Sequence, residues 1–389
     1  MDDHSNILDR IIEETVRPQA AEVDREGRFP TAGLAALGQA GFFGATVPTE
    51  MGGWGLSAAE ISEIVRRLGT VCASTAMVYV MHLTALNSIV LFGSPEQKEL
   101  YLEPVLEGTA LVTEAISEAG SGSQWWSVAS RSERNDSGGF RIDAEKSFAT
   151  SAGHADLYIV STRSPGSDDD RNHALFAVPA DTPGITFGQW NGLGLAGNSS
   201  TWITFHCDLP EEALLFAGDD TSGLTKYNEA NQPIYHLGVA SVYLGIAQAA
   251  YGACVERIQS RRYAGDATTF GRNLSQYPVA RRHVGTMAIK IAAGESLVAR
   301  LAAEIDADRG FEQLSVLMTA TKVALAETCS DVAREALLAS GGSAYAKGFL
   351  PIERHLRDSL AASLMGPNDD FCKELIGRLE LEGTSYHDL

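Results

Sequence analysis

The order of structural signals along the chain constrains its fold more than any single residue. Among the 389 residues, helical patterns extend to about residue 116, short apolar runs bounded by turn residues follow, and long helices return after about residue 227. Few folds place a small sheet between two helical units. We therefore predict a mainly α protein with a β insert: an N-terminal α-helical domain over residues 1–116, a middle β domain over 117–222, and a C-terminal four-helix-bundle domain over 223–389.

Local patterns support each part of this division. The run Ser94-Pro95-Glu96-Gln97 combines a serine cap, a proline at the first helical position and a glutamine three residues after the cap, which predicts a helix to about Glu107. The runs at 157–160 and 174–178 are apolar and predict strands. The segment 237–258 is apolar almost all round, which predicts a central helix of the bundle.

Charge and cysteine usage exclude several classes of partner. Thirty basic residues against fifty acidic ones give a net charge of −20, which disfavours binding to nucleic acid or to anionic membranes. Five widely spaced cysteines without a Cys-x-x-Cys pair indicate reduced thiols. With neither a signal peptide nor a membrane span recognised, we expect a cytoplasmic protein.

Two motifs that suggest other functions are better explained as loops. The run Gly192-Leu193-Gly194-Leu195-Ala196-Gly197 matches the dinucleotide fingerprint, but a strand-like run follows it instead of a helix, so we predict a turn in the β domain. The acidic stretch 164–171 is predicted to be a solvated loop, and we predict no metal site. No Gly-x-Ser-x-Gly elbow or His-Glu-x-x-His helix occurs in the sequence.

Two segments of the β domain have the composition of a ligand site. The run Ser117-Glu118-Ala119-Gly120-Ser121-Gly122-Ser123 places hydroxyls beside glycines where helix gives way to strand, which allows a polar ligand to approach the backbone closely. About 25 residues later comes Lys146-Ser147-Phe148-Ala149-Thr150-Ser151. Taken alone, Phe148 would be an ordinary strand aromatic; with the first segment it predicts a binding site.

These segments resemble motifs of the acyl-CoA dehydrogenase family. The first is similar to its Thr-Glu-Pro-x-x-Gly-Ser-Asp motif and the second to Lys-x-Trp-Ile-Thr-Asn, and the C-terminal part has the family's glycine pair and a Glu-Arg-x-x-Arg-Asp run at Glu353–Asp358. The resemblance implies FAD, an acyl substrate on CoA or a carrier protein, hydride transfer to flavin N5, and a homodimer or homotetramer. The electron acceptor is left open.

The resemblance also implies roles for individual residues. Arg261, Arg262 and Arg272 are possible substitutes for an arginine that the family places where this chain has Ala267, and Leu338 stands where the family has a glutamine. Both changes are expected to weaken FAD binding unless other residues compensate. The positions expected to contact the cofactor are Ser117, Phe148, Thr150, Phe270, Gly341, Gly342 and Asn368, and those expected to contact the substrate are Ser123 and Trp125.

The family's catalytic glutamate is missing from this chain. In the resemblance, Gly366 falls on that glutamate, and the alternative glutamate position of some relatives falls on Tyr235. A base is needed to remove the α-proton of a thioester, so the candidates that remain nearby are Asp369, Asp370, His236 and Tyr235. For the two aspartates the competing interpretation is a cap and first-turn charge of the following helix.

Three functions are compatible with this sequence. The first is a flavin-dependent acyl-thioester oxidoreductase with a relocated base. The second is a flavin-dependent monooxygenase or oxidase on the same scaffold, which the glycine at 366 and the bulky Trp125-Trp126 pair favour. The third is a non-catalytic, degenerate subunit, which the altered FAD contacts favour and which the retained Ser117, Ser123, Phe148 and Thr150 oppose.

Overall fold

The N-terminal part of the chain is helical. The computed structural model describes residues 2–121, 124, 127–218, 222–263 and 271–383. A π-helical segment, Ile12–Val16, joins the first two helices. A helix begins directly after Pro30, and a buried helix begins directly after Cys72. The helices are α1 (Asp2–Ile11), α2 (Arg17–Glu26), α3 (Thr31–Gln39), α4 (Ala58–Gly69), α5 (Ala73–Phe92) and α6 (Pro95–Leu106).

The start of α6 is determined locally, as the sequence predicts. The Ser94 hydroxyl accepts a hydrogen bond from the Gln97 amide at 3.2 Å, and the Gln97 side-chain oxygen accepts one from the Ser94 amide at 2.7 Å. Helix α5 is long and apolar enough to cross a membrane, but 83% of its apolar window is buried inside the protein. Its composition is therefore accounted for by a central position in the core.

The middle domain consists of two four-stranded sheets packed face to face. The first sheet has the order β1-β4-β5-β8, with β1 parallel to β4, and the second has the order β2-β3-β7-β6. Strand β1 precedes the predicted domain start at residue 117, because its four residues follow a helical region without a strong strand signal. The strands are β1 (Val112–Ala115), β2 (Arg131–Arg134), β3 (Phe140–Ala149), β4 (Leu157–Arg163), β5 (His173–Pro179), β6 (Ile185–Phe187), β7 (Thr201–Leu209) and β8 (Leu214–Ala217).

Buried and exposed side chains alternate along the strands, and the buried ones form the core of this domain. On β3, Phe140, Ile142 and Ala144 are buried while the residues between them are exposed. Phe140 packs edge-on against Phe176 of β5, with ring centroids 5.2 Å apart. The outer face of the first sheet packs on α5, so the middle domain shares a continuous apolar core with the helices.

The C-terminal domain is a bundle built around one 39-residue helix. The longest helices pack against one another, and α11 and α12 pack on α9. Helix α9 has an apolar stripe that faces the core, in which Leu314, Met318, Leu325 and Val332 are buried. The helices are α7 (Ser222–Ser260), α8 (Pro278–Asp306), α9 (Phe311–Ser340), the short α10 (Gly342–Tyr345), α11 (Ile352–Leu360) and α12 (Asp369–Glu382).

Candidate active site

A cavity of about 670 Å³ lies where the sheet domain, the bundle and α5 meet. Residues from three domains form its walls, so the cavity exists only in the assembled fold. The wall segments are residues 81 and 84 of α5, 114–121 after and within β1, 147–150 at the end of β3, 190–195 before β7, 227–235 of α7 and 357–368 after and within α11.

Phe148 presents a flat apolar surface to this cavity. Its backbone has a φ of 53°, at a bulge where the register of β3 against β7 shifts between Lys146 and Ala149. Its ring lines the cavity and is 73% exposed. A non-glycine residue in the left-handed region costs of the order of 1–3 kcal/mol. The strand is thus distorted at the point where it offers an aromatic face for stacking on a planar ligand.

Ser117 and Thr150 flank Phe148 in the cavity wall. The Ser147 amide donates to the Ser117 carbonyl at 2.8 Å, which ties the segment after β1 to the end of β3. Thr150 is held by its hydroxyl contact with the Ser200 hydroxyl at 2.8 Å. The nearby Asn198 side-chain oxygen is buried and has no hydrogen-bond partner among the described residues. A ligand with a planar ring and polar edges suits these groups, so the donor set fits a flavin.

A buried ion pair fixes the segment that carries Ser117. The Lys146 ammonium donates to the Glu118 carboxylate at 2.5 Å and to the Ser161 hydroxyl at 3.1 Å. Glu118 also accepts from the amides of Ala129 and Ser130. Burial raises the pKa of Glu118, but the Lys146 ammonium and these donors outweigh burial and hold the pKa below its ordinary value. Glu118 is therefore an ionised structural partner rather than a free base.

The glycine-rich run at 192–197 is a turn, as the sequence predicts. A Cβ on Gly194 would overlap the Arg357 carbonyl oxygen, so only glycine allows the turn to approach α11 this closely. The Leu195 amide donates to the Asp358 carboxylate at 2.8 Å, and Arg357 forms an ion pair with Asp24 of α2 at 2.6 Å. This turn therefore joins the three domains along one side of the cavity.

The segment from Met365 to Asn368 also lines the cavity. The Tyr235 hydroxyl donates to the Gly366 carbonyl oxygen at 2.5 Å. The Lys322 ammonium, buried on α9, donates to the carbonyls of Met365 and Pro367 at 3.2 and 3.0 Å. A Cβ placed on Gly366 would meet no heavy atom within 4 Å. Position 366 therefore opens into free space beside the cavity.

Two of the predicted base candidates lie outside the cavity. The Asp369 carboxylate accepts from the Lys322 ammonium at 2.7 Å and is buried, whereas Asp370 is exposed in the first turn of α12. Asn368 caps this helix by accepting from the Phe371 amide at 2.9 Å, and it also lines the cavity. This geometry favours the interpretation of Asp369 and Asp370 as first-turn charges, because neither carboxylate faces the cavity.

The remaining two candidates are poor proton acceptors for different reasons. His236 is fully buried inside the bundle rather than in the cavity wall, and its Nδ1 contacts the Gln232 carbonyl at 2.9 Å. Burial lowers the pKa of His236 to about 4, so its ring is neutral near pH 7. Tyr235 lines the cavity, but burial raises its pKa well above the usual value and keeps the phenol protonated.

Other predicted contacts are not brought to the cavity. Gly341 and Gly342, which were expected to contact the cofactor, are exposed directly after α9 and do not line this cavity. Phe270, Ser123 and Trp125 lie outside the described residues, as do Ala267 and Trp126.

The sequence analysis missed one carboxylate that does face the cavity. Glu114 projects from β1, accepts from the Asn231 side-chain amide at 3.1 Å and from the Tyr227 hydroxyl at 3.4 Å, and lies deep within the protein. Its accessible surface is intermediate because it is exposed to the cavity interior. Burial raises the pKa of Glu114 to about 8. The sequence feature that could have identified Glu114 is its position in a short apolar run directly before the Ser117 motif.

This arrangement fits a flavin-dependent oxidoreductase. Family models for the acyl-CoA dehydrogenase N-terminal, middle and C-terminal domains match residues 5–109, 113–207 and 236–380. The chain belongs to the acyl-CoA dehydrogenase family, and its cofactor is FAD. The predicted three-domain fold and the predicted enzyme class are thereby confirmed.

Several known proteins resemble the chain over most of its length. It is 29% identical over 350 residues to the mitochondrial short-chain specific acyl-CoA dehydrogenase of Mus musculus, covering 89% of this chain and 82% of the relative. It is 30% identical to benzylmalonyl-CoA dehydrogenase of Aromatoleum aromaticum, with coverage of 95% and 94%. The structure of butyryl-CoA dehydrogenase from Megasphaera elsdenii superposes with a TM-score of 0.88 at 24% identity, covering 98% and 97% of the two chains.

Proposed function

We propose that this protein oxidises an acyl thioester carried on CoA or on a carrier protein, without a side-chain base at position 366. When bound, FAD supplies the hydride acceptor. The observation that carries the proposal is that one cavity joins Ser117, Phe148 and Thr150 to Gly366. Ser117 and Thr150 would contact the flavin and Phe148 would stack on it. An acyl group lying between these residues and Gly366 would sit next to the flavin ring.

The proton acceptor is the unusual part of this proposal. Among the carboxylates of the described residues near the site, Glu118 is paired with Lys146 and Asp369 with Lys322. Glu114 faces the cavity, but burial raises its pKa to about 8, so near pH 7 it is mostly protonated and is a poor acceptor for the α-proton. Space is open at Gly366, where the family resemblance expects a glutamate. We infer that solvent in this space accepts the α-proton. A positioned general base typically contributes about 10²–10⁴-fold, so dehydrogenation of an ordinary acyl thioester is expected to be slow.

A second candidate function is oxygen-dependent flavin chemistry on the same scaffold. The open space at Gly366 favours it, because a reaction without α-proton removal needs no carboxylate there. Both candidates are proposed for a cytoplasmic homodimer or homotetramer, in agreement with its acidic composition and five free, buried cysteines.

An anaerobic titration separates these functions. The visible spectrum of the purified protein is recorded, and short, branched and aromatic acyl-CoA thioesters are then added without oxygen or reduced nicotinamide. Bleaching of the flavin bands by a thioester is the expected result. Flavin that no thioester bleaches would favour oxygen-dependent chemistry, and a protein that binds no FAD even when FAD is added would be a non-catalytic subunit.

A further inference from the structure

A group of hydrogen-bond acceptors lies in the cavity between β1 and α7. Glu114 faces the cavity from β1, and Gln232 faces it from α7. The Gln232 side-chain oxygen is buried without a hydrogen-bond partner among the described residues, and the whole residue is 6% exposed. Asn231 cannot neutralise these acceptors, because it donates to Glu114 and to the Ser88 hydroxyl as a neutral amide. This part of the wall therefore contains a carboxylate that is accessible from the cavity and a buried amide oxygen that lacks a partner among the described residues.

No positive charge of the described chain compensates Glu114. None of the ion pairs formed between described residues includes it, and the cations nearest to the cavity are engaged elsewhere. Lys146 is paired with Glu118, and Arg357 is paired with Asp24 and Glu353. A carboxylate that lies deep in a protein without a cation is costly to ionise, so it favours a ligand that supplies the missing charge.

Glu114 is displaced along the cavity from the position of the missing base. The residues that donate to it, Tyr227 and Asn231, precede Tyr235 by two turns and one turn of α7, and Tyr235 contacts Gly366. At 1.5 Å per residue, these donors lie about 6–12 Å along the helix from Tyr235. Glu114 is thus placed to contact the far part of an acyl chain whose thioester end lies beside Gly366.

We propose that the acyl group of the substrate carries a protonated amine, which binds Glu114 and Gln232. This inference rests on the proposed function, since it assumes an acyl thioester oriented with its α-carbon near Gly366. An ammonium group has three donors and no acceptor, so it matches a carboxylate and an amide oxygen. Hydrogen bonds between charged partners are about twice as strong as neutral ones, which favours the amine over a hydroxyl.

The test compares three thioesters that differ only at the end of the acyl chain. Hexanoyl-CoA, 6-hydroxyhexanoyl-CoA and 6-aminohexanoyl-CoA are titrated into the FAD-loaded protein by calorimetry, without oxygen. The five bonds from the α-carbon to the terminal nitrogen span roughly 6 Å when extended, which matches one turn of α7. We expect the amine to bind at least about tenfold more tightly than the hexanoyl compound.

Variants assign this preference to the two acceptors. Glu114→Gln, which keeps size but loses charge, is expected to remove the preference for the amine while hexanoyl-CoA binding changes less than about twofold. Gln232→Leu is expected to reduce the preference and provides a second arm if Glu114→Gln does not fold. Glu145→Gln is the matched control, because Glu145 is exposed on β3 and does not line the cavity.

Several outcomes would overturn the proposal. They are 6-aminohexanoyl-CoA binding no better than hexanoyl-CoA, a preference that persists in both variants, a hydroxyl that binds as well as the amine, and an amine compound that does not bind. If Glu114→Gln prevents flavin reduction by hexanoyl-CoA as well, the carboxylate is the base and the amine proposal is wrong. Binding is measured separately from flavin bleaching, so a thioester that binds without bleaching contradicts the proposed oxidation alone.

Discussion

Gly366 is the departure from the acyl-CoA dehydrogenase pattern that bears most directly on function, because the resemblance places the catalytic glutamate at this position. Its backbone is held by the Tyr235 hydroxyl, it lines the cavity, and a side chain placed on it would meet open space. The surrounding structure can therefore accept a carboxylate at the position where the resemblance expects one. Function can therefore be tested at residue 366 by adding a carboxylate rather than by removing a side chain.

Gly366→Glu is expected to accelerate flavin reduction by acyl-CoA by about 10²–10⁴-fold, the usual contribution of a positioned base. The rate constant is measured by anaerobic stopped-flow at saturating thioester. Gly285→Glu is the control, because Gly285 is an exposed position of α8 with no heavy atom near its added Cβ. An unchanged rate in Gly366→Glu would mean that position 366 does not face the α-carbon of the thioester.

Phe148→Ala is expected to weaken FAD binding about threefold to tenfold, in line with aromatic pair energies of ~0.5–1.5 kcal/mol. The ring is 73% exposed in the protein without ligand, so the stability of the apoprotein should change little. FAD affinity is measured by fluorescence titration of the apoprotein. Phe187→Ala, on the edge strand β6, serves as the control, and equal losses in both variants would argue against stacking on Phe148.

The raised pKa of Glu114 predicts a pH-dependent stability. Its pKa is about 8 in the folded protein against an ordinary value of 4.5, so between these limits the unfolded chain has released a proton that the folded protein still holds. Stability contributed by this residue therefore falls as pH rises from 4.5 to 8 and is constant above that.

Glu114→Gln removes this titration. Its unfolding free energy relative to the native protein is expected to increase from pH 4.5 to pH 8 and then level off. Urea unfolding of the apoprotein across this range measures the difference, with Glu145→Gln as the control. A difference that does not vary with pH would show that Glu114 is ionised in the empty cavity.

At the scale of elements, the connection between α11 and α12 is held by one buried side chain. The Lys322 ammonium of α9 donates to two carbonyls of this connection and to Asp369, the first residue of α12. A single cation thus satisfies backbone groups and a carboxylate that would otherwise be buried without partners. The position of Gly366 in the cavity wall depends on this contact.

Lys322→Met is expected to lower the unfolding free energy by about 3–5 kcal/mol, because it leaves Asp369 buried without a cation. Adding Asp369→Asn should recover part of this loss, since the charge is then removed. Lys290→Met, which breaks an exposed pair with Asp331, should cost less than about 1 kcal/mol. The comparison is made by urea unfolding, and similar losses in Lys322→Met and Lys290→Met would contradict the assigned role.

The elements differ in how far the sequence determines them. The start of α6 was predictable because its capping residues are adjacent in the chain. The presence of Phe148 and Thr150 at the cavity was predictable because their motif is contiguous. The pairing of Asp369 with Lys322 was not predictable, since Lys322 lies on another helix 47 residues away. Glu114 was overlooked for the same reason: its donors come from α7, and a four-residue strand next to helices has little periodic signal.

At the scale of the whole molecule, the last part of the C-terminal domain carries several exposed large apolar side chains. Large apolar side chains on the surface are common singly, but a concentration of them indicates a contact surface. This stretch also contains Gly341 and Gly342, which the family resemblance places among the FAD contacts but which do not line this cavity. Between residues 338 and 381, the exposed large apolar residues that do not line the cavity are Leu338, Tyr345, Phe349 and Leu381.

We expect the protein to be a homodimer or homotetramer that uses this part of the bundle. Tyr345 is 80% exposed, and burying an aromatic side chain contributes about 1.5–3 kcal/mol. In an isologous interface the contact occurs twice, so Tyr345→Glu should weaken assembly by about 10²–10⁴-fold. Light scattering coupled to size-exclusion chromatography measures the mass, with Leu100→Glu on α6 as the exposed apolar control.

The FAD content of the same fractions adds a second observation. If a neighbouring subunit contributes to FAD binding through the 341–342 turn, the monomers formed by Tyr345→Glu should contain less FAD than the native oligomer, although the cavity residues Phe148 and Thr150 are unchanged. Monomers that keep their full FAD would show that each chain holds the cofactor alone. If the native protein is monomeric at micromolar concentration, the exposed apolar residues of the bundle do not form a subunit interface.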